Sequence, residues 1–481
     1  MLRRSRANRL WDSARVLVGY GCAVRRGMRL TAFVAVGLML CGEAPAATFT
    51  WNGASNANTW SDTSSKGAVS NWTSNTVPTS GSTNVYIFAG TTQTTNVNDI
   101  GNLTATSISF ASGAGAFTIS GSAVTLRGTV SNSSSNQQTI NLDLILGTSG
   151  TFNAVSQDLI VGGVISGSNN LLKTGTNDLI LTGANTYTGT TTISAGSIQI
   201  GNAGTTGDLS SGPIINNSVL SVNRTNAYTL DNVVSGSGQF KQLGTGTTTI
   251  TGSNTYTGGN LISAGRLVVG STNALGSGTG GMTLNGGNLD ISTYNVSVGA
   301  VTLTTGTILG TTGVLTGTSY TLNGNGDATA ILGGSGTLTK SGAGTTSTLS
   351  GANTYSGATN IASGALNIQN NLALGGTAAG TTVSTGAALE LQGGITVTGE
   401  ALTLSGSGVS NAGGLRSISG NNTYAGVITL GTNSRINSDA GLLTLNTGTI
   451  TGSGFGLSVG GAGNTTISSV IGTGAGSLSK D

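Results

Sequence analysis

The chain has 481 residues, of which 82 are glycine, 7% are charged and none is histidine. Without histidine, Ser-His-Asp and Cys-His catalytic groups are excluded, and the 10 basic and 13 acidic residues after residue 47 offer no basic face to a nucleic acid. Val, Ile, Leu and Thr recur throughout, which argues against a disordered polar tract.

The first predicted element is a leader and signal peptide in residues 1–47. Arg25, Arg26 and Arg29 precede an apolar run at residues 30–40, which has signal-peptide length and is too short to cross a bilayer. Small residues at 44–47 then fit a cleavage site. Residues 1–47 are therefore predicted to direct export and to leave a mature chain with no membrane span.

Two further features of the leader concern its start and its thiols. Both Met1 and Met28 fit as the initiating residue, because residues 1–27 make the leader unusually long. Both cysteines, Cys22 and Cys41, fall before the cleavage site. The mature chain is thus predicted to hold no disulfide, although its compartment permits them.

The next predicted element is a tryptophan-containing cap at residues 48–90. Trp51, Trp60 and Trp72 lie within one short segment rich in Asn, Ser and Thr. We expect their rings to cover the open end of a hydrophobic core. A sugar-stacking platform formed by the same three rings is the alternative.

An Asn-Thr-Tyr sequence then recurs along the chain. Three full copies start at Asn185, Asn254 and Asn353, and a weaker copy starts at Asn422, with spacings of 69, 99 and 69 residues. A glycine follows eleven residues after each full-copy asparagine. The recurring positions are Asn185, Tyr187, Gly196, Asn254, Tyr256, Gly265, Asn353, Tyr355, Gly364, Asn422 and Tyr424.

Short period-two segments separated by Gly, Asn and Ser turns predict strands between these positions. Because one strand–turn unit cannot bury its own apolar face, repeated units are expected to stack. The predicted fold is all-β, a right-handed parallel β-helix over residues 91–481. With rungs of roughly 20–25 residues, the spacing of 69 corresponds to about three rungs and that of 99 to about four or five. At about 4.8 Å per rung, the rod would be about 90 Å long.

The recurring residues are expected to shape the turns of this coil. Glycine takes positive φ at no steric cost. Asparagine tolerates the left-handed conformation and hydrogen-bonds its own turn backbone. Each tyrosine is expected to lie against a strand face, at an equivalent position in its copy. The copies would therefore share turn chemistry while their strand surfaces vary.

Residues 171–202, 240–271 and 338–370 resemble the autotransporter-associated β-strand repeat, also called the passenger-associated transport repeat, and a degenerate copy lies near 421–426. Gln242 stands where the family has lysine. Residues 48–88 are similar to the N-terminal segment of such passengers. The resemblance implies a passenger that is secreted or displayed at the cell surface, exported with an outer-membrane β-barrel translocator. No barrel pattern occurs in this chain, so a truncation at its C-terminus is expected.

The expected function is that of a non-enzymatic stalk or adhesin-like scaffold, with a host or matrix glycan or protein as receptor and no nucleic-acid partner. No catalytic residue, cofactor or metal ligand is predicted. A carbohydrate-active β-helix enzyme, a polysaccharide lyase or glycosidase, is the alternative, and it would need carboxylates brought together by stacked rungs. Glu390 and Glu400 are the candidates for such a pair. A matrix or surface-layer component is the third reading.

Overall fold

A computed structural model describes residues 46–63, 69–81, 83–446 and 448–481, and the stretch Ala46–Asp481 forms one compact unit. The predicted leader lies outside the described residues except for its last two positions. In the described part of the chain, most strands are joined by short turns, and the single short helix is a 3₁₀ turn at Val409–Asn411. No helix there is long and apolar enough to span a membrane.

The strands are short because glycine, asparagine and serine interrupt every apolar run. Within them the side chains alternate between the interior and the surface, as in Thr83–Phe88 and Gln138–Ile140, which is the period of an extended chain.

In chain order the strands of the N-terminal third are β1 Ala47–Trp51, β2 Thr83–Phe88, β3 Thr95–Asn98, β4 Leu103–Phe110, β5 Thr118–Gly121, β6 Val124–Asn132, β7 Gln138–Ile140, β8 Leu144–Leu146, β9 Gly150–Ala154, β10 Leu159–Val161, β11 Ile165–Ser166, β12 Leu171–Thr174, β13 Asp178–Leu181, β14 Thr191–Ile193, β15 Ser197–Gly204 and β16 Ile214–Asn216. The central strands are β17 Val219–Arg224, β18 Tyr228–Leu230, β19 Val234–Ser235, β20 Gln239–Gln242, β21 Thr247–Ile250, β22 Asn260–Ile262, β23 Arg266–Val269, β24 Met282–Asn285, β25 Asn288–Asp290, β26 Val296–Ser297, β27 Ala300–Thr305, β28 Thr307–Leu309, β29 Val314–Thr316, β30 Ser319–Leu322, β31 Asp327–Ala328 and β32 Ile331–Gly333. The remaining strands are β33 Leu338–Lys340, β34 Thr346–Leu349, β35 Thr359–Ile361, β36 Gly364–Ile368, β37 Thr381–Val383, β38 Ala387–Gln392, β39 Thr396–Thr398, β40 Leu402–Gly406, β41 Leu415–Ser419, β42 Asn422–Ala425, β43 Ile428–Ser438, β44 Leu442–Leu445, β45 Thr449–Thr451, β46 Leu457–Gly460, β47 Asn464–Ile467, β48 Val470–Gly472 and β49 Leu478–Lys480.

These strands coil into a parallel β-solenoid of about 19 turns. Leu159 pairs with Leu179, and Leu179 pairs with Ile198, all in parallel register, so one rung takes about 20 residues. At about 4.8 Å per rung, 19 turns make a rod about 90 Å long. The prediction of an all-β parallel coil is confirmed. Its right hand stays a prediction, which rests on the strong bias of parallel crossover connections.

The second and third copies of the repeat lie on one face of the solenoid. A continuous ladder runs from Phe240 of the second copy to Leu338 of the third, through Asn260, Met282, Val301 and Tyr320. This is five rungs, within the predicted four or five. Equivalent strands of these two copies therefore lie in one column.

The first copy lies one strand out of phase with the second. Phe240 of the second copy corresponds in sequence to Leu171. Its ladder instead leads back through Leu220 and Ile198 to Leu179. The 69-residue spacing thus exceeds three rungs by about one strand and its turn, and the second copy is displaced to the neighbouring face.

The interior is one continuous hydrophobic cluster along the rod. At its N-terminal end Trp51, Trp60 and Trp72 are at most 1% exposed. Trp72 packs edge-on against Trp51 and Trp60, with ring centroids 5.1 and 5.4 Å apart. Because the three rings are buried, they cannot form the sugar-stacking platform that was the alternative for this segment.

Candidate functional site

The recurring asparagines are buried and join three successive rungs. In the second copy, Asn254 Oδ1 accepts a hydrogen bond from the Val234 amide (2.7 Å), and its Nδ2 donates to the Ala274 carbonyl (2.8 Å). The partners lie 20 residues before and 20 residues after Asn254. The same pair of bonds recurs at Asn185, between Ile165 and Asp208, and at Asn353, between Leu332 and Ala373.

The expectation that these asparagines adopt a left-handed turn conformation is wrong. Positive φ occurs at none of the four recurring asparagines, which are Asn185, Asn254, Asn353 and Asn422. In the three full copies the side-chain bonds go to adjacent rungs instead of the residue's own turn, because the side chain points inward and the nearest unpaired backbone groups belong to the rungs on either side. A buried amide and carbonyl that lacked such a partner would each be costly.

The degenerate fourth copy keeps part of this arrangement. Asn422 Oδ1 accepts from the amides of Gly394 and Ile395, both at 2.9 Å. Its Nδ2 donates to its own rung as well as to the rung before, at Ser419 O (3.0 Å) and Leu391 O (3.3 Å). The bond to the following rung is replaced by these contacts.

The recurring tyrosines lie inside the solenoid, at most 1% exposed. Each hydroxyl has a partner nearby. Tyr256 donates to Asn260 Oδ1 at 2.6 Å, and its hydroxyl also lies 3.5 Å from the Ala274 carbonyl that Asn254 binds. The corresponding partners are Thr191 for Tyr187, Thr359 for Tyr355 and the Glu400 carbonyl for Tyr424. Burial raises the pKa of all four hydroxyls, which remain neutral.

The recurring glycines form a second, separate corner of each copy. Gly196, Gly265 and Gly364 have φ of 65°, 63° and 72°. A Cβ atom on Gly265 would also meet the carbonyl oxygens of Gly244 and Gly246 in the rung before. Both the backbone conformation and the close approach of the neighbouring rung require glycine here.

A buried amine or amide serves this second corner, and the sequence reasoning did not place it in the interior. Lys173 is fully buried between Phe152 and Ile193 in the adjacent rungs. Its Nζ donates to the carbonyls of Thr174 (2.7 Å), Gly175 (2.8 Å) and Ala195 (3.1 Å). Lys340 in the third copy donates in the same way to Gly324 and Gly342.

In the second copy Gln242 occupies the lysine position. It is fully buried, and its Nε2 donates to the carbonyls of Gly244 (2.7 Å) and Gly246 (3.4 Å). A neutral amide thus performs the task of the ammonium group. Burial lowers the pKa of Lys173 to about 8, against the opposing influence of Asp178 and Asp158. Burial lowers the pKa of Lys340 as well.

The family described as passenger-associated transport repeat matches residues 171–200, 240–269 and 338–368. The chain carries three passenger-associated transport repeats. The resemblance to autotransporter passengers is therefore confirmed over these three segments. The family of such passengers implies secretion or display at the cell surface, with an outer-membrane β-barrel translocator as partner. No curated protein and no solved structure matches the chain.

Each transport repeat therefore holds two buried polar corners, the Asn–Tyr corner and the Lys/Gln–Gly corner. The structure does not bring the two together, since they lie at different corners of the coil and share no hydrogen-bond partner among the described contacts. The repeat pattern already marked the lysine position, since Gln242 stands where the family has lysine, at the same distance from the start of its repeat as Lys173 and Lys340. What the offset alone does not give is the direction of the side chain, because a lysine in a strand is normally exposed.

The two carboxylates considered for an enzymatic pair have different surroundings. Glu390 Oε1 binds Arg416 at 3.1 Å, and Arg416 also binds Asp439. Glu400 Oε1 accepts from the Thr381 hydroxyl at 2.7 Å. The described contacts of the two residues share no partner. Glu390 thus belongs to an ion-paired ladder on the side of the rod, and Glu400 to the interior.

Proposed function

We propose that this chain is a non-enzymatic stalk or adhesin-like scaffold that presents a long polar rod at the cell surface. The observation that supports this proposal most is the direction of the recurring polar groups. The asparagine amides and the Lys/Gln nitrogen atoms all bind within the solenoid, most of them to main-chain carbonyls and amides. The repeats therefore use their chemistry to hold rungs together and display none of it.

The lateral surface is consistent with this role. Threonine and serine side chains alternate outward along many strands, as in β39 and β45, and few apolar side chains are exposed. A rod about 90 Å long with such a surface could hold a receptor-binding segment away from the membrane. We also propose that the chain after the leader divides into a cap at residues 48–90 and a coil from residue 91.

The test uses the purified chain from residue 48. Incubation with a panel of neutral and acidic polysaccharides should release no reducing ends and no unsaturated products, while an array of host and matrix glycans and proteins should show saturable binding. Product release that survives repurification would favour the carbohydrate-active enzyme. Ordered sheets or fibres formed by the purified chain would favour a matrix or surface-layer component.

A further inference from the structure

A cavity of about 270 Å³ lies beside the third transport repeat, between the turn at residues 370–375 and strand β39. Among the described strands, β39 pairs with β42 along one edge. Its other edge faces the turn, and the link between them is the bond from the Thr396 amide to Asn371 Oδ1 at 2.8 Å. The volume is near the lower limit of small-molecule sites, roughly 300–1,000 Å³.

Glu400 lines this cavity and is 2% exposed. Its Oε1 is bound to Thr381, but its Oε2 has no hydrogen-bond partner and is screened from water. The ion pairs found among the described residues do not include Glu400. The ionised form of a carboxylate in this condition is costly unless a counter-charge reaches it.

The repeat itself does not require this carboxylate. After the second copy, Met282 pairs with Val301, and the two residues before Val301 are Gly299 and Ala300. After the third copy, Thr381 pairs with Leu402 at the corresponding place, and Gly399, Glu400 and Ala401 precede it. The Thr381–Glu400 pair is therefore a polar addition to a junction that the second copy builds from apolar residues and glycine.

We propose that this cavity binds a primary ammonium group on a short aliphatic chain, with the Glu400 carboxylate as its counter-ion. Leu372, Leu374 and Val397 line the same cavity and would contact the methylene groups. Leu372 is 55% exposed, so an apolar contact is available at the surface. This site is independent of the scaffold role and would exist on an enzyme as well.

A cationic amine fits better than a metal ion or a neutral ligand. Calcium takes six to eight oxygen ligands, normally with several carboxylates, and no group of three or more acidic, histidine or cysteine side chains suited to a metal occurs in the part of the chain described. A neutral hydroxyl would supply no counter-charge and would therefore favour the neutral form of the buried group. Burial raises the pKa of Glu400, and an ammonium partner would restore the ionised form.

Isothermal titration calorimetry with n-butylammonium tests the proposal on the purified chain, with n-butanol as the uncharged probe. The expected result is saturable binding of the amine and none of the alcohol. Glu400→Gln should weaken amine binding by about tenfold to a hundredfold, the loss of one charge-assisted bond. Glu390→Gln, which alters a carboxylate outside the cavity, should leave the affinity unchanged.

Equal binding of amine and alcohol, no binding of the amine, preference for calcium, or an unaltered affinity in Glu400→Gln would each overturn the proposal. If Glu400→Gln does not fold, Leu372→Ala provides the test at an exposed position and should weaken amine binding without affecting the fold. A capped lysine amide distinguishes the source of the amine. If the capped lysine amide binds as n-butylammonium does, the natural ligand is a protein lysine side chain. If only n-butylammonium binds, the ligand is a free small amine.

Discussion

Replacing Asn353 by alanine should loosen two neighbouring rungs at once. The side chain accepts from the Leu332 amide at 2.9 Å and donates to the Ala373 carbonyl at 2.7 Å, and it is 3% exposed. Removing it leaves a donor and an acceptor buried without partners. Each such group costs about 1–3 kcal/mol, so Asn353→Ala should lower the free energy of unfolding by about 2–6 kcal/mol.

Amide hydrogen exchange measured by mass spectrometry locates the effect. Losing about 1–3 kcal/mol at the Leu332 amide corresponds to exchange that is about fivefold to 150-fold faster at that amide. Peptides from distant rungs should change little, because each rung contacts only its neighbours. The global effect is followed by denaturant unfolding monitored by circular dichroism.

Asn217→Ala is the matched control. Asn217 is exposed, and its side chain accepts one long bond of 3.4 Å from the Ser237 amide, so its loss should cost less than about 0.5 kcal/mol. The reasoning is refuted if the Leu332 amide keeps its protection in Asn353→Ala, or if both variants lose the same stability.

Three further predictions concern the Lys/Gln–Gly corner. Lys173→Gln should lower the unfolding free energy by only about 1 kcal/mol, since the Gln242 amide serves the same corner although its buried Oε1 has no partner. Lys173→Ala should cost about 2–4 kcal/mol. Equal losses for the two variants in denaturant unfolding would contradict this. Gly265→Ala should cost about 1–3 kcal/mol because φ is 63°, and Gly101→Ala, at a position with open space and ordinary φ, should be neutral in the same assay. The pKa of Lys173 is about 8 in the folded chain and its ordinary value is 10.5, so the unfolded chain binds more protons between these two pH values. The stability of the wild type should therefore rise relative to that of Lys173→Gln as pH increases from 8 to 10.5. If the difference between their thermal midpoints does not change with pH, Lys173 does not carry a buried ammonium group.

Much of the fold could be read from the residues themselves. Apolar segments of period two, broken by glycine and asparagine, predicted short strands. The tyrosine and the glycine that follow Asn254 and Asn353 at equal distances predicted stacked units. The positive φ of Gly265 also followed from its place in the repeat. These features depend on local backbone preferences, which a short segment carries with it.

The candidate sites were harder to predict. A lysine in a strand normally faces water, yet Lys173 points inward, because three main-chain carbonyls at its corner accept hydrogen bonds from its ammonium group. Asn254 was expected to serve its own turn and instead binds the rungs before and after it. The partners of Asn254 lie in rungs outside its own repeat, whereas Lys173 combines two carbonyls of its own turn with that of Ala195 in the following rung.

The sequence by itself determined that this chain would form a repetitive parallel coil, and it identified the residues that shape each turn. The tertiary structure decided which rungs meet, since the length of every intervening turn adds to the register of all later strands. For this reason the first repeat lies on a different face from the second. For the same reason Glu400 comes to lie, half-paired, beside a cavity that no single segment of the chain encodes.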